Sequence, residues 1–349
     1  MMTSAARAQT YYERHFSELE KGEGCYGKAW LRTLRERAMA SFHELGFPTT
    51  RDEEWKYTDV APLARAAFRP AGRDLDKFPS EALARLIPRD FDAHRLVFVN
   101  GYYAPGLSSL RPPSQELEIG TLAAALAGEN RWVESHLGRY ASHERHAFVA
   151  LNTALMKDGA FVYVPAGRIL SRPIHLVFVS FPGDEATVCH PRILIGIGDR
   201  SEAAVVESDV GVGEGVSFVN AVTEIVLGES SVAEHYKLQR EGEHSYHLAT
   251  LQAHLGDHAN FTSHSIALGG ALTRNEVNVV LDGQGCECTL NGLYMVGGEQ
   301  HVDNRTRIDH VKPHGTSREL YKGILDGKAR GVFNGKIYVH KTAPKTDAR

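Results

Sequence analysis

From about residue 160 onward the sequence predicts a mainly β fold, a parallel β-helix standing behind an N-terminal helical region. Two interleaved series of glycines carry that prediction. Gly198, Gly228, Gly256 and Gly283 lie 30, 28 and 27 residues apart. Gly215, Gly242, Gly270, Gly298 and Gly327 lie 27, 28, 28 and 29 apart, half a period out of step. Between them run short strand-like pieces such as Arg192–Ile197, Thr223–Leu227, Asn278–Leu281 and Lys336–Val339. A period of about 28 residues with two turns per repeat marks a solenoid. Strands this short bury a face only when successive coils stack on one another. An antiparallel β-sandwich also gives even strand spacing, but the regular two-series register favours the β-helix.

The chain divides into three regions. Residues 1–65 read as helical: Ala5–Lys21 places Tyr12, Phe16 and Leu19 on one face, and Lys28–Leu45 does the same with Leu31, Leu34, Ala38 and Leu45. Gly46 and Pro48 supply the stop. Residues 66–155 mix a strand at Arg95–Asn100 with helical segments near Thr121–Leu137 and His146–Met156. Residues 156–349 form the β-helix.

Composition bounds the function. Of 349 residues, 42% are hydrophobic and 23% charged, ordinary for a globular protein, so a sizeable core is available. A net charge of −4 offers no electrostatic case for nucleic acid or an anionic membrane. No apolar run follows Arg7, and none approaches the roughly 18–20 residues that cross a bilayer. A cytoplasmic protein is expected. Cys25, Cys189, Cys286 and Cys288 are too few for a disulfide framework. The segment from Gly22 to Ala29 nearly spells a phosphate-binding loop. However, Ala29 stands where a magnesium-ligating Ser or Thr belongs, so a plain interhelical loop is expected.

Several segments resemble the SufD family in a shared order. They are Pro48-Thr-Thr-Arg-Asp-Glu-Glu-Trp55-Lys56-Tyr57-Thr58, Arg95 through Pro105, Ala150 through Gly159, and Pro165-Ala-Gly167 with Pro173-Ile-His-Leu. The densest resemblance runs through Asp303-Asn-Arg305-Thr306, Asp309-His310, Leu320-Tyr-Lys322-Gly323, Val332-Phe333-Asn-Gly335 and Lys345-Thr346-Asp347. The resemblance implies a right-handed parallel β-helix. It also implies a scaffold subunit of the SUF complex that builds iron–sulfur clusters and supports iron delivery without turnover of its own. Its implied partners are a SufB-like paralogue and a SufC-like ATPase, with a homodimer as another pairing. It implies no stably bound cofactor, iron or a cluster being carried only in transit. The SufB-type paralogue is the alternative within the superfamily, and a β-helix carbohydrate-active enzyme the alternative outside it. The acids scattered along the repeat show no cluster that such an enzyme needs.

The chain ends at Arg349 inside the solenoid, whereas the family continues into further coils and a helical domain that contacts the ATPase. A truncated reading frame is therefore expected, and a fragment that aggregates or needs a partner.

Four residues are candidate metal ligands. Cys286 and Cys288, two apart in a strand, face one side, and thiolates suit iron–sulfur species. With a local period of 28, His258 falls one coil before Cys286 and His314 one coil after. The competing reading makes the cysteines core fillers and the histidines turn residues. Surface or interface hydrogen bonding is expected for His235, His244, His247, His254 and His264. Trp55-Lys56-Tyr57 is expected to anchor packing, and Tyr321, Lys322 and Arg330 are candidate interface residues.

Overall fold

The computed structural model describes residues 4–21, 27–66, 68–73, 75–87, 91–110 and 115–349. Cys25 and the segment Gly22–Tyr26 lie outside them. The two expected N-terminal helices span Ser4–Lys21 and Ala29–Leu45. Their apolar stripes pack Tyr12, Ala38 and Phe42 into one core with Phe47 and Phe148. Gly46 ends the second helix at φ 64°, where its N–H bonds Phe42 O. That left-handed conformation is open to glycine at no steric cost.

In the middle region the helical stretch near Thr121–Leu137 divides at Gly128 into Leu122–Ala127 and Arg131–His136. Each piece starts on a side-chain cap: Thr121 Oγ1 accepts the Ala124 N–H, and Asn130 Oδ1 accepts the Val133 N–H. A third helix, Ala147–Leu155, is buried along almost its whole length.

The solenoid has two strands per coil, one in each of two sheets. The first sheet stacks Gly159–Val164, Arg192–Ile197, Ser217–Leu227, Ser245–Leu255, Leu272–Leu281, His301–His310 and Arg330–Val339. The second stacks His94–Val99, Ile174–Ser180, Glu202–Gly211, Val232–Arg240, Asn260–Ala267, Glu287–Val296, Thr316–Leu325 and Asp347–Ala348. Successive strands in both stacks are parallel, which decides for the β-helix over the sandwich. Antiparallel pairing closes the N-terminal edges, where Glu118–Thr121 pairs with Gly159–Val164 and Tyr102–Tyr103 with His94–Val99. A covered edge presents no free backbone row to a stray strand.

One corner of every coil turns through a left-handed residue: Arg200, Ser230, His258, Gly285, His314 and Lys345, with φ between 55° and 65°. Each of the first five donates its N–H to the carbonyl just before the next corner residue, at Glu229, Asp257, Gln284, Pro313 and Pro344. This ladder sets the register from coil to coil. It also explains Gly283, where an added Cβ would lie 2.2 Å from Asp257 N.

The N-terminal half is fastened to the outer side of the first sheet at two buried charged centres. Glu224 accepts the N–H groups of Gly138, Tyr140 and Ala141 at 2.8–3.0 Å and receives Arg192 Nη2 at 2.6 Å. Arg192 Nη1 also reaches Asn152 Oδ1 and Thr153 Oγ1, both at 3.1 Å. At the second centre, Arg274 lies 3.6 Å from the Trp55 ring centroid and donates to Asp303, Glu276 and the Glu54 carbonyl. Thr58 adds a 2.6 Å hydrogen bond to Asp303. Trp55 is thus the packing anchor expected of it, while Tyr57 is exposed.

Both members of the Arg192–Glu224 pair are fully buried, so removing one strands the other without solvent. Glu224→Ala is expected to lower unfolding free energy by about 3–5 kcal/mol, read by urea denaturation. A loss under about 1 kcal/mol would show that the pair carries no such load.

Candidate functional site

The four candidate ligands do not converge. His258 and His314 are exposed corner residues, and the residue stacked between them is Gly285, not Cys286. The intervals are 285 − 258 = 27 and 314 − 285 = 29, so a uniform period of 28 misplaces the cysteine by one position. That slip is enough to send Cys286 inward while the histidines stay out. Cys286 and Cys288 do share a face, as expected, but it is the buried one. Cys286 Sγ lies 3.0 Å from Gly256 O and 3.2 Å from Gly283 O, contacts in which the thiol donates. Burial pushes both thiols up, away from the thiolate form that binds metal. Among the described residues, no three His, Cys, Asp or Glu side chains converge in a way that could hold a metal ion.

What the sequence reading missed is a charged cluster inside the solenoid. His235 and His247 are not surface histidines: both are buried, because the alternation of their strands points them inward. The scattered acids do cluster in space. Lys237 stacks in register on Glu207, and Gln239 on Asp209, one coil of 30 residues away. The Lys237 ammonium lies 2.9 Å from Asp209 Oδ2 and 3.9 Å from Glu207 Oε2. His235 Nε2 is 3.2 Å from Glu207 Oε1, and its Nδ1 is 3.0 Å from Ser263 Oγ. Across the interior, His247 Nδ1 sits 2.7 Å from Glu241 Oε2, which also accepts from Gln239. Coil-to-coil spacing of charged residues was the signal available, and it becomes readable only once each coil's own length is known.

Three carboxylates therefore face one ammonium and two imidazoles. Burial alone would push Glu207 up, but His235, Lys237 and the Thr223 hydroxyl outweigh it and bring its carboxyl down to about 2. Glu241 moves down for the same kind of reason, with His247 opposing the burial penalty. Lys237 moves up because Asp209 and Glu207 outweigh its own desolvation. A void of about 20 Å³ beside Glu207, Thr223, His235 and Asn275 has room for a single water. The cluster is closed to larger molecules. Its chemistry is positional, because a strand slipped by one residue would carry these charges out of the core.

A second feature lies on the last coils. Leu320, Ile324 and Tyr338 stand on the outer faces at 55%, 55% and 48% exposure. Leu325, Phe333 and Val339 take the core-side positions of the same two strands and are also exposed. Tyr321 stacks on Phe333 with ring centroids 4.7 Å apart. Exposed apolar surface of this extent marks a contact region.

The cluster fixes the acid limb of stability. Glu207 titrates below its ordinary value, so its contribution is complete above about pH 4.5 and disappears as pH falls through about 2. That shift corresponds to about 3 kcal/mol. Unfolding measured across this range is expected to show wild type losing stability more steeply than Glu207→Gln. Parallel slopes would contradict the pairing.

With this geometry in place, the family comparisons are informative. Residues 5–176 match the SufBD protein N-terminal region, and residues 180–349 match the SufBD core domain of SUF system FeS cluster assembly. An iron–sulfur cluster assembly SufBD family protein of Synechocystis is 29% identical, over all of this chain and 80% of the relative. The iron–sulfur cluster assembly protein SufD of Escherichia coli is 30% identical, over 87% of this chain and 69% of the relative. A chloroplastic protein of Arabidopsis thaliana is 26% identical, over 91% and 67% respectively. No described helix is long and apolar enough to cross a membrane. A solenoid built on these coils, matched by both family models and by SufD itself, makes this chain a member of the SufBD family of SUF iron–sulfur cluster assembly proteins, of the SufD type.

Proposed function

We propose that this chain works as a scaffold subunit in a cytoplasmic iron–sulfur assembly complex, pairing with a SufB-like paralogue and, within that complex, with a SufC-like ATPase. It has no turnover of its own in this reading, and iron or a nascent cluster passes through the complex as cargo. The observation that carries the proposal is the exposed apolar surface of the last coils, Leu320, Ile324, Leu325, Phe333, Tyr338 and Val339. Aromatic and aliphatic side chains gathered on a flat strand surface fit burial against another polypeptide. The charged interior supports the same reading, since it braces the coils and opens onto no substrate-sized space.

Co-expression tests the proposal. The tagged chain, produced with the SufB-like and SufC-like proteins of its own genome, is expected to bring the SufB-like partner with it. Leu320→Asp combined with Phe333→Asp is expected to weaken recovery by about tenfold or more, as for loss of anchor residues worth about 2 kcal/mol. Undiminished recovery with folded variant protein would move the contact elsewhere. Recovery of the tagged chain with only a second copy of itself would replace the paralogue by a homodimer.

A further inference from the structure

A cleft of about 780 Å³ opens where the N-terminal helices meet the first coils. Its size lies within the usual span of small-molecule sites, about 300–1,000 Å³, which favour the joins between structural units. Leu19, Pro70, Tyr102, Leu155 and Val188 give it an apolar body. Its polar wall is short and dominated by donors. Lys157 and Arg73, both exposed, bring two cations to it, and the Lys157 ammonium lies 5.9 Å from the Tyr102 ring centroid.

Two acids also line the cleft, and neither cancels those cations inside it. Asp158 accepts the N–H groups of Ala123 and Gly159 at 2.9 and 2.8 Å, and burial holds its carboxyl up at about 6. Glu18 is exposed. His15 and His190 are pushed down, first by burial and then by cationic neighbours that include Lys157, so both are neutral donors or acceptors here. His190 Nδ1 faces the Asn220 amide at 3.2 Å, and its Nε2 is shut from solvent without a hydrogen-bond partner. The Tyr12 hydroxyl is likewise without one, its ring 6.3 Å from His190. Two unused hydroxyl or imidazole groups thus stand at the wall of a donor-rich cleft, where a buried polar group without a partner is costly.

We propose that this cleft binds a small organic anion, its carboxylate or phosphate group held by Lys157 and Arg73 and its apolar part resting on Tyr102, Leu155 and Val188. The site is separate from the coils assigned above to partner binding and does not depend on that assignment.

Calorimetric titration of the full chain with phenyl phosphate tests this, with benzyl alcohol as the uncharged comparison. One equivalent of phenyl phosphate is expected to bind, and benzyl alcohol to bind at least about tenfold more weakly, the scale of one charge-assisted hydrogen bond. Lys157→Gln, at an exposed position, is expected to weaken phenyl phosphate by about tenfold. Ala123→Trp, which fills the cleft, is expected to abolish binding, with thermal melting confirming that the variant is folded. Absence of binding overturns the proposal. So does equal binding of the neutral probe, or binding left intact by Lys157→Gln. Should Ala123→Trp fail to fold, the charge comparison and Lys157→Gln still decide.

Discussion

Every inward-facing side chain in the solenoid depends on one constraint, the registration of each coil on the one before it. A two-strand coil has no core of its own, so its apolar residues are buried only by neighbours stacked above and below. The corner ladder supplies that registration from the backbone, through N–H groups at Arg200, Ser230, His258, Gly285 and His314 that reach across to the next coil. The interior supplies it from the side chains. Lys237 is stable in the core only where Glu207 and Asp209 of the preceding coil meet it. Backbone and charge therefore specify the same stacking, and agreement between the two levels is what makes one arrangement preferred. A purely apolar interior would bury as much surface while discriminating less between registers.

The two halves of the chain are joined by polar contacts as much as by apolar ones. Phe47, Phe68, Phe148 and Phe218 supply the apolar part of the join. Orientation comes from Glu224, whose two oxygens bind three successive turn amides, and from Arg274, held between Trp55 and two carboxylates. Apolar contact alone would let the helices slide over the sheet. Ionic groups with fixed directions do not allow that, because a displaced carboxylate would be left buried and unpaired.

Much of this architecture was legible in the residues. Paired glycine series at the turns predicted two strands per coil, and Gly46 and Pro48 predicted where the helical start gives way. Local signals succeeded because turn chemistry and helix stops act over a few residues. The interior was harder to read. Coil lengths between corners run 30, 28, 27, 29 and 31 residues, so an average period locates a turn well enough but not a side chain. Cys286 illustrates the cost: a 27-residue coil puts Gly285 beside His258 and leaves the cysteine among core atoms. His235 and His247 failed differently. A histidine in a strand has no inward or outward label until its partners Glu207 and Glu241 are known to lie a coil away, or across the barrel of the fold.

The attachment of the N-terminal half to one sheet has a mechanical consequence. Its contacts reach Arg192, Asn220 and Glu224, then Arg274, then His301 and Asp303, so it acts as a splint along the outside of the first stack. The second stack has no comparable brace beyond Asn260–Ala267 and is free to flex against it. Bending strain would then concentrate in the coils past residue 310, giving the molecule a rigid shaft and a compliant tip.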